Sequence, residues 1–463
     1  LKQQRKWLSA VVSLGLFAGL AACSSPATQQ QQPAANGGAD TGSQAAAPAK
    51  QTVTMLYWPG PESEAMQKVI DNYNQTKGSQ DGVEVKMAPA PREGFWEKEA
   101  AMMSSDNKDI DVYFTASYKV GEQKSDLVPL DDKLGDQLKL FIGTTIDSLK
   151  NDGKTYGIPT DVSNHFMYYR KDLVEKLLAD PAWQTKYKEI SLKVVGKELA
   201  PKQPAEWNWD DFTATAAFFT QSLNPDSPTQ YGTALQAKNL IYNVMIWDDV
   251  LYSFGGTWYT GDGRPNFDSP ETRKALNVYA NIMKNGISPA AASTFEYPET
   301  NQAFQTGKAA FILQWGAAYH ELTDQAKSGQ VFDKVGIAPI PGDKHATHVH
   351  ALGVGINSHS DKQEAALKWL QYLATLDAMK TYAQNGGIPP VADVLNGMKD
   401  QRPEFPFIAE HVDKYGYVAD TGSQVFPILE VLARHFSAVW AGQADADQAA
   451  KRAQDEVSKL IGK

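Results

Sequence analysis

The run Thr52–Trp58, TVTMLYW, is β-branched and aromatic, and it is followed by Pro59-Gly60-Pro61-Glu62. That composition reads as a strand ending in a turn. Glu62–Thr76 then shows helical spacing through Met66, Val69, Ile70 and Tyr73, and Val83–Met87 reads as a second strand. Gly94–Met103 is helical and Ile110–Phe114 is a third strand. The βαβα order predicts an α/β fold with a mostly parallel sheet flanked by helices. Further helices are expected at 209–221, 239–254, 270–284, 297–305, 362–375 and 444–461. Asp361 is expected to cap the helix at Lys362, and Asp268 or Ser269 the one that Pro270 begins. Asp262-Gly263 reads as a hairpin turn.

Upstream of this body, Lys2, Arg5 and Lys6 precede an apolar run from Trp7 to Leu20, closed by Leu20-Ala21-Ala22-Cys23. The run falls short of the roughly 18 apolar residues needed to span a bilayer and reads as a secretory signal over residues 1–22. Its Leu-Ala-Ala-Cys ending resembles a bacterial lipoprotein signal, which implies a lipidated Cys23, the only cysteine in the chain. Ser24–Lys50 carries no aromatic and no large aliphatic residue, so it is expected to act as a disordered tether. A chain of that length spans roughly 30 Å on average.

The hydrophobic fraction of 42% and the charged fraction of 21% are those of an ordinary globular protein, and the body is long enough for two or three domains. Without the three basic residues of the signal, 41 basic face 54 acidic side chains, a net charge of −13. This argues against a nucleic-acid partner, which needs a basic face.

Seven segments, in order and over nearly the whole mature chain, resemble the extracellular solute-binding proteins of bacterial sugar ABC importers, the maltose-binding type being the best-known. They are VTMLYW (Val53–Trp58), DIDVYF (Asp109–Phe114), YGIPTDVSNHFMYYRKDL (Tyr156–Leu173), FGGTWYTGDGRPNFDSPETRKALNVYANIMKNG (Phe254–Gly286), AFQTGKAAFILQWGA (Ala303–Ala317), GVGINSHSDKQEAALKWLQYL (Gly353–Leu373) and NGGIPPVADVL (Asn385–Leu395). The resemblance implies a two-lobed periplasmic-binding-protein-like fold (type II), each lobe a sheet flanked by helices, with the ligand cleft between them. It implies crossovers near Asp161–Asn164, His350–Val354 and Pro390–Lys399. Lobe one is then 51–162 plus 353–398, and lobe two 163–352 plus 399–463.

A sugar site needs flat aromatic surfaces for the C–H face and polar forks for the hydroxyls. Trp315 ends the strand Ala309–Gln314 and is followed by Gly316-Ala317-Ala318, small residues that leave room for a ligand. Trp58 ends the first strand, where α/β sheets place ligands, and Glu62 lies just beyond it, as acceptor or as helix N-terminal charge. Trp258 and Trp247 are expected either to line the cleft or to pack in the core. Asp161 and Asn164 flank the first crossover. Thr115, Ser117 and Tyr118 end the third strand, and Arg92 is either a ligand contact or a solvated surface residue. The resemblance also places the Gly386-Gly387 loop near the ligand, with Gly387 offering its backbone.

The expected function is capture of a carbohydrate, a di- or oligosaccharide, by lobe closure and delivery to the permease subunits of an ABC transporter. The protein would be a monomer held on the membrane through its lipid anchor, on the extracytoplasmic face of a single-membrane, Gram-positive-type envelope. No catalytic residue, metal or cofactor is expected. One alternative keeps the fold with a peptide, polyamine or anion as ligand. Another is a carbohydrate-active enzyme, whose paired carboxylates about 5–10 Å apart are not supplied by the adjacent Asp248-Asp249 or Asp131-Asp132. A third is a metal site on His345, His348 and His350, which read instead as loop and strand histidines.

Overall fold

The computed structural model describes residues 50–91 and 94–462. The expectations for the signal, for Cys23, for the tether up to residue 49 and for Arg92 lie outside the described residues. Nine strands build two sheets. They are β1 (Gln51–Tyr57), β2 (Val83–Pro89), β3 (Val112–Ala116), β4 (Ile158–Asp161), β5 (His165–Arg170), β6 (Tyr231–Thr233), β7 (Ala309–Trp315), β8 (Val335–Ala338) and β9 (Leu352–Ile356). The first sheet runs β2-β1-β3-β9-β4 and the second β8-β5-β7-β6. The chain leaves the first sheet at Asp161, enters the second at His165, and is back in the first at Leu352.

The expected parallel sheet is found only in part. β1 pairs in parallel with β2 and β3, but β9 is antiparallel to both β3 and β4. In the second sheet only β6 and β7 are parallel. The reason is topological. β9 returns from the second sheet rather than through a helix over its own sheet, so it enters from the opposite end.

The helices follow local signals. Ser269 caps Pro270–Lys284 by accepting from the Thr272 amide, with Pro270 in the first turn. Asp361 does not cap its helix. It pairs with Lys108 on the surface (2.8 Å), and Ser360 accepts from the Lys362 amide instead. Thr260 and Gly263 close the turn at Asp262-Gly263, and Tyr259 and Pro265 bridge across it. Among the described residues no helix is long and apolar enough to cross a membrane.

Burial of polar side chains makes stability pH-dependent. His411 is 2% exposed, its ring 5.0 Å from Phe166 and 5.3 Å from Phe407. Burial, with smaller contributions from His345 and Lys414, pushes its pKa down to about 3. The unfolded chain takes up this proton below about pH 6.5 and the folded chain does not, so stability falls as pH drops from there towards 3. His411→Phe is expected to remove about 2 kcal/mol of the stability lost between pH 7 and pH 5. Urea denaturation of both proteins at the two pH values measures this, and equal losses would contradict it.

Candidate functional site

The C-terminal ends of β1, β3 and β4 in the first sheet and of β7 in the second converge on one cavity of about 290 Å³. Larger hollows lie elsewhere, but they are open surface grooves, such as the 710 Å³ groove around Lys77, Gln137, Lys368 and Asp377. The cavity is where ligands sit in α/β sheets, outside the carboxyl ends of strands.

From the first sheet, Trp58 follows β1 and lines the cavity, its ring set edge-on to Phe95 (5.9 Å) and Trp96 (5.7 Å). Glu62 stands in the first turn of the helix Pro61–Gln75, next to it in the lining. Gly60 makes this approach feasible. Its φ of +152° suits glycine, and a Cβ there would lie 2.8 Å from the Glu62 carboxylate. Asp161 ends β4, and its Oδ2 accepts from Tyr382 Oη and the Ile388 amide, both at 2.9 Å. Burial, then the neighbouring Glu62 carboxylate, holds Asp161 well above the usual carboxylate range.

From the second sheet, Trp315 ends β7 and lines the cavity, half-buried. Its ring meets the ring of His165 edge-on at 4.3 Å, and Tyr168 Oη donates to the carbonyls of Trp315 and Gly316. Gly316 and Ala317 complete that wall. Tyr242, Tyr297, Glu296, Glu321 and Gln236 add to it from three helices and a loop. Tyr242 meets Tyr118 edge-on at the cavity wall, ring centroids 6.3 Å apart.

Four of the expected ligand contacts, Trp58, Glu62, Asp161 and Trp315, are thus brought together, and Tyr118 joins them. Five others are placed elsewhere. Trp247 is fully buried against Phe436 (4.7 Å) and Trp440 (6.2 Å), because its helix, Ile241–Ser253, is buried along nearly its whole length and turns Tyr242 rather than Trp247 to the cavity. Trp258 is buried against Phe267 and donates its Nε1–H to Asp248 at 3.0 Å. Thr115 is interior to the first sheet and donates to Gln123 Oε1 at 2.6 Å. Asn164 is buried behind Gly316, its amide towards Thr347. Gly387 packs under Tyr382, where a Cβ would come within 2.1 Å of the ring. It therefore bears on the site through Asp161, which accepts from Tyr382 Oη and from the amide of the next residue, Ile388.

Behind Trp315 lies a buried polar cluster. His165 Nδ1 is 2.9 Å from Asp249 Oδ2, and Asp249 Oδ1 accepts from the His348 amide and Tyr417 Oη. Asp248 accepts from Trp258 Nε1 and faces the His348 ring (3.5 Å), so the adjacent aspartates hold His348 from two sides, Asp248 at its ring and Asp249 at its amide. The rings of His348 and His350 are 3.6 Å apart, and burial lowers the pKa of both and of His165. Of His345, His348 and His350 no metal-ligating group is made. Among the described residues the only such group with donor atoms all within 4.8 Å is Asp106, Asp126 and His359, partly exposed.

Comparison with known proteins decides the family. A family model described as bacterial extracellular solute-binding protein matches residues 68–405. The chain belongs to that family. A binding protein of Brucella abortus resembles this solute-binding protein at 26% identity over 267 residues, 57% of either chain. The match thus spans little more than half the length of that relative. The mannitol-binding protein of Pseudomonas aeruginosa is 25% identical over 356 residues, 72% of this chain and 74% of its own. Among solved structures, maltose-bound MalE3 of T. maritima covers 88% of this chain and 99% of its own at 22% identity, with a TM-score of 0.72. A solute-binding protein of Agrobacterium vitis with bound D-mannitol covers 89% and 98% at 24% identity, with a TM-score of 0.68. The fold of this solute-binding protein is therefore the two-lobed, MalE-like one, and its family consists of binding proteins rather than enzymes.

Proposed function

We propose that this protein captures a carbohydrate or polyol outside the cytoplasm and delivers it to the permease of an ABC importer. The observation that carries the reading is the cavity where strand ends of both sheets meet, lined by Trp58 from the first and Trp315 from the second. Aromatic rings cover the C–H face of a sugar, and carboxylates and amides accept from its hydroxyls. The polyhydroxylated ligands named for the maltose- and mannitol-bound relatives fit the same chemistry.

In this reading lobe one is 51–162 plus 353–398, lobe two is 163–352 plus 399–463, and the solute stabilises their closure. Only the difference in affinity between open and closed forms shifts that equilibrium. The volume, about 290 Å³, lies at the small end of ligand pockets, roughly 300–1,000 Å³, and favours a mono- or disaccharide over a longer chain. Cys23, lipidated, and the segment up to Lys50 keep the cleft near the permease at high effective concentration.

A thermal-shift screen against sugars and polyols tests the reading. A solute at 100 times its Kd is expected to stabilise the protein by about 2.7 kcal/mol and raise its Tm by several degrees. A panel of hexoses, disaccharides and polyols with no stabilising member would overturn it.

A further inference from the structure

Residues 162–164 carry the chain from the first sheet to the second, and His350 and Ala351 bring it back to β9. The His350 amide donates to the Ser163 carbonyl at 2.7 Å, which ties the outgoing and returning segments together. The His350 side chain is thereby fixed at the junction of the two sheets, and it is 2% exposed.

Its cover comes from both sides of that junction. From the first sheet, just past β3, Ser117 Oγ lies 3.4 Å from His350 Nδ1, and the Tyr118 ring lies 6.4 Å from the imidazole. The next residue, Lys119, turns away to Glu122 and the ring of Phe426. From the second sheet, the rings of Trp315 and His165 stand 5.7 and 5.5 Å away, and that of His348 3.6 Å. The carboxylates of this region serve the other two histidines. Asp249 Oδ2 is 2.9 Å from His165 Nδ1, Asp248 Oδ2 is 3.5 Å from His348 Nδ1, and Tyr417, stacked on His348, donates to Asp249. Among the described residues His350 has no carboxylate partner, and its Nε2 is buried without a hydrogen bond. Burial, then the neighbouring His348 and His165, holds it well below the usual imidazole range.

With the sheets together, a protonated His350 would be a buried charge whose Nε2–H finds no acceptor, so the ring stays neutral. Parting the sheets takes Ser117 and Tyr118 from one side of it and admits water, which returns it towards the ordinary imidazole pKa of about 6.5. Proton uptake then favours the parted form, whereas solute favours the closed one. We propose that His350 is a proton-operated release switch: solute and a proton on His350 exclude each other, so acidification opens the cleft. His165 and His348 keep their carboxylates, both on the helix Ile241–Ser253, on one side of the junction, so the switch resides in His350. The proposal rests on the closure read above and adds its regulation.

Calorimetry on the purified full chain tests it with glucose, galactose, maltose, sucrose, mannitol and sorbitol, none of which ionises between pH 5.5 and 7.5. For one excluded proton, Kd is expected to rise about tenfold from pH 7.5 to pH 5.5. Binding at pH 6.0 is expected to release about 0.8 proton, read from the heats in two buffers of different ionisation enthalpy. His350→Asn, which cannot take the proton, is expected to hold Kd within about twofold over the same range and to release none. His350→Gln repeats the measurement if the Asn variant melts lower at pH 7.5. A Kd equal at both pH values in the unsubstituted protein overturns the switch and leaves the carbohydrate reading standing. A tenfold rise that persists in both variants puts the proton on another group and overturns the role of His350. Binding of none of the six solutes overturns the carbohydrate reading and this proposal with it.

Discussion

Trp315→Ala is expected to weaken solute binding about tenfold or more while the protein stays folded. Aromatic residues packed against a ligand and shielded from water commonly contribute about 1.5 kcal/mol or more, and tenfold in Kd is about 1.4 kcal/mol. Trp315 meets the conditions for such a contribution. It is placed by the end of β7, its backbone carbonyl is fixed by Tyr168 Oη, and its ring rests edge-on against His165, so little freedom is lost when a ligand stacks on it. It is half-buried rather than fully buried and lines the cavity, so truncation enlarges the cavity as well as removing packing at the edge of the core. Titration calorimetry with the tightest carbohydrate, beside a melting curve, reads both halves of the expectation. Unchanged affinity would show that the ligand does not use this wall. A collapse of the Tm would show that Trp315 is structural.

Trp247→Ala is expected to do the reverse, costing about 3–5 kcal/mol of stability. The side chain has no exposed surface and fills the space against Phe436 and Trp440, so its removal leaves a cavity lined by rings that cannot collapse far. Denaturant unfolding measures the loss. A loss below about 1 kcal/mol would contradict the core placement. The pair of tryptophans thus separates two roles that sequence position alone leaves open.

The legible parts of the fold are those with local signals. The strand–helix alternation from Gln51 to Ala116 and the helices Pro270–Lys284 and Tyr297–Gln305 are visible in period and capping residues. Val425–Trp440 is not, because Gln424 offers no cap hydrogen bond and the run VFPILEVL suits a buried strand as well as a helix. The antiparallel pairing of β9 is also hidden, since it depends on the chain returning from the second sheet.

The site divides the same way. Trp58 and Trp315 are legible because a tryptophan closing a strand before proline or glycine sits at the ligand edge of a sheet. Trp247 and Trp258 carry the same chemistry, but only the packing of their helix and loop shows which way they face. Gln236, Tyr242, Glu296, Tyr297 and Glu321 come from segments distant from the first sheet in sequence, and only the signal of Glu296 as a helix-start residue, paired with Glu299, is local.

The central claim is that solute lies between the two sheets against Trp58 and Trp315. The crystal structure of the protein with the tightest carbohydrate from the screen tests it most directly. The account predicts the ligand in the cavity lined by Glu62, Asp161 and Gln236, with a ring or carbon chain stacked on Trp315. Ligand bound instead in an open surface groove, such as the one around Lys77 and Asp377, with this cavity free of it, would contradict the account.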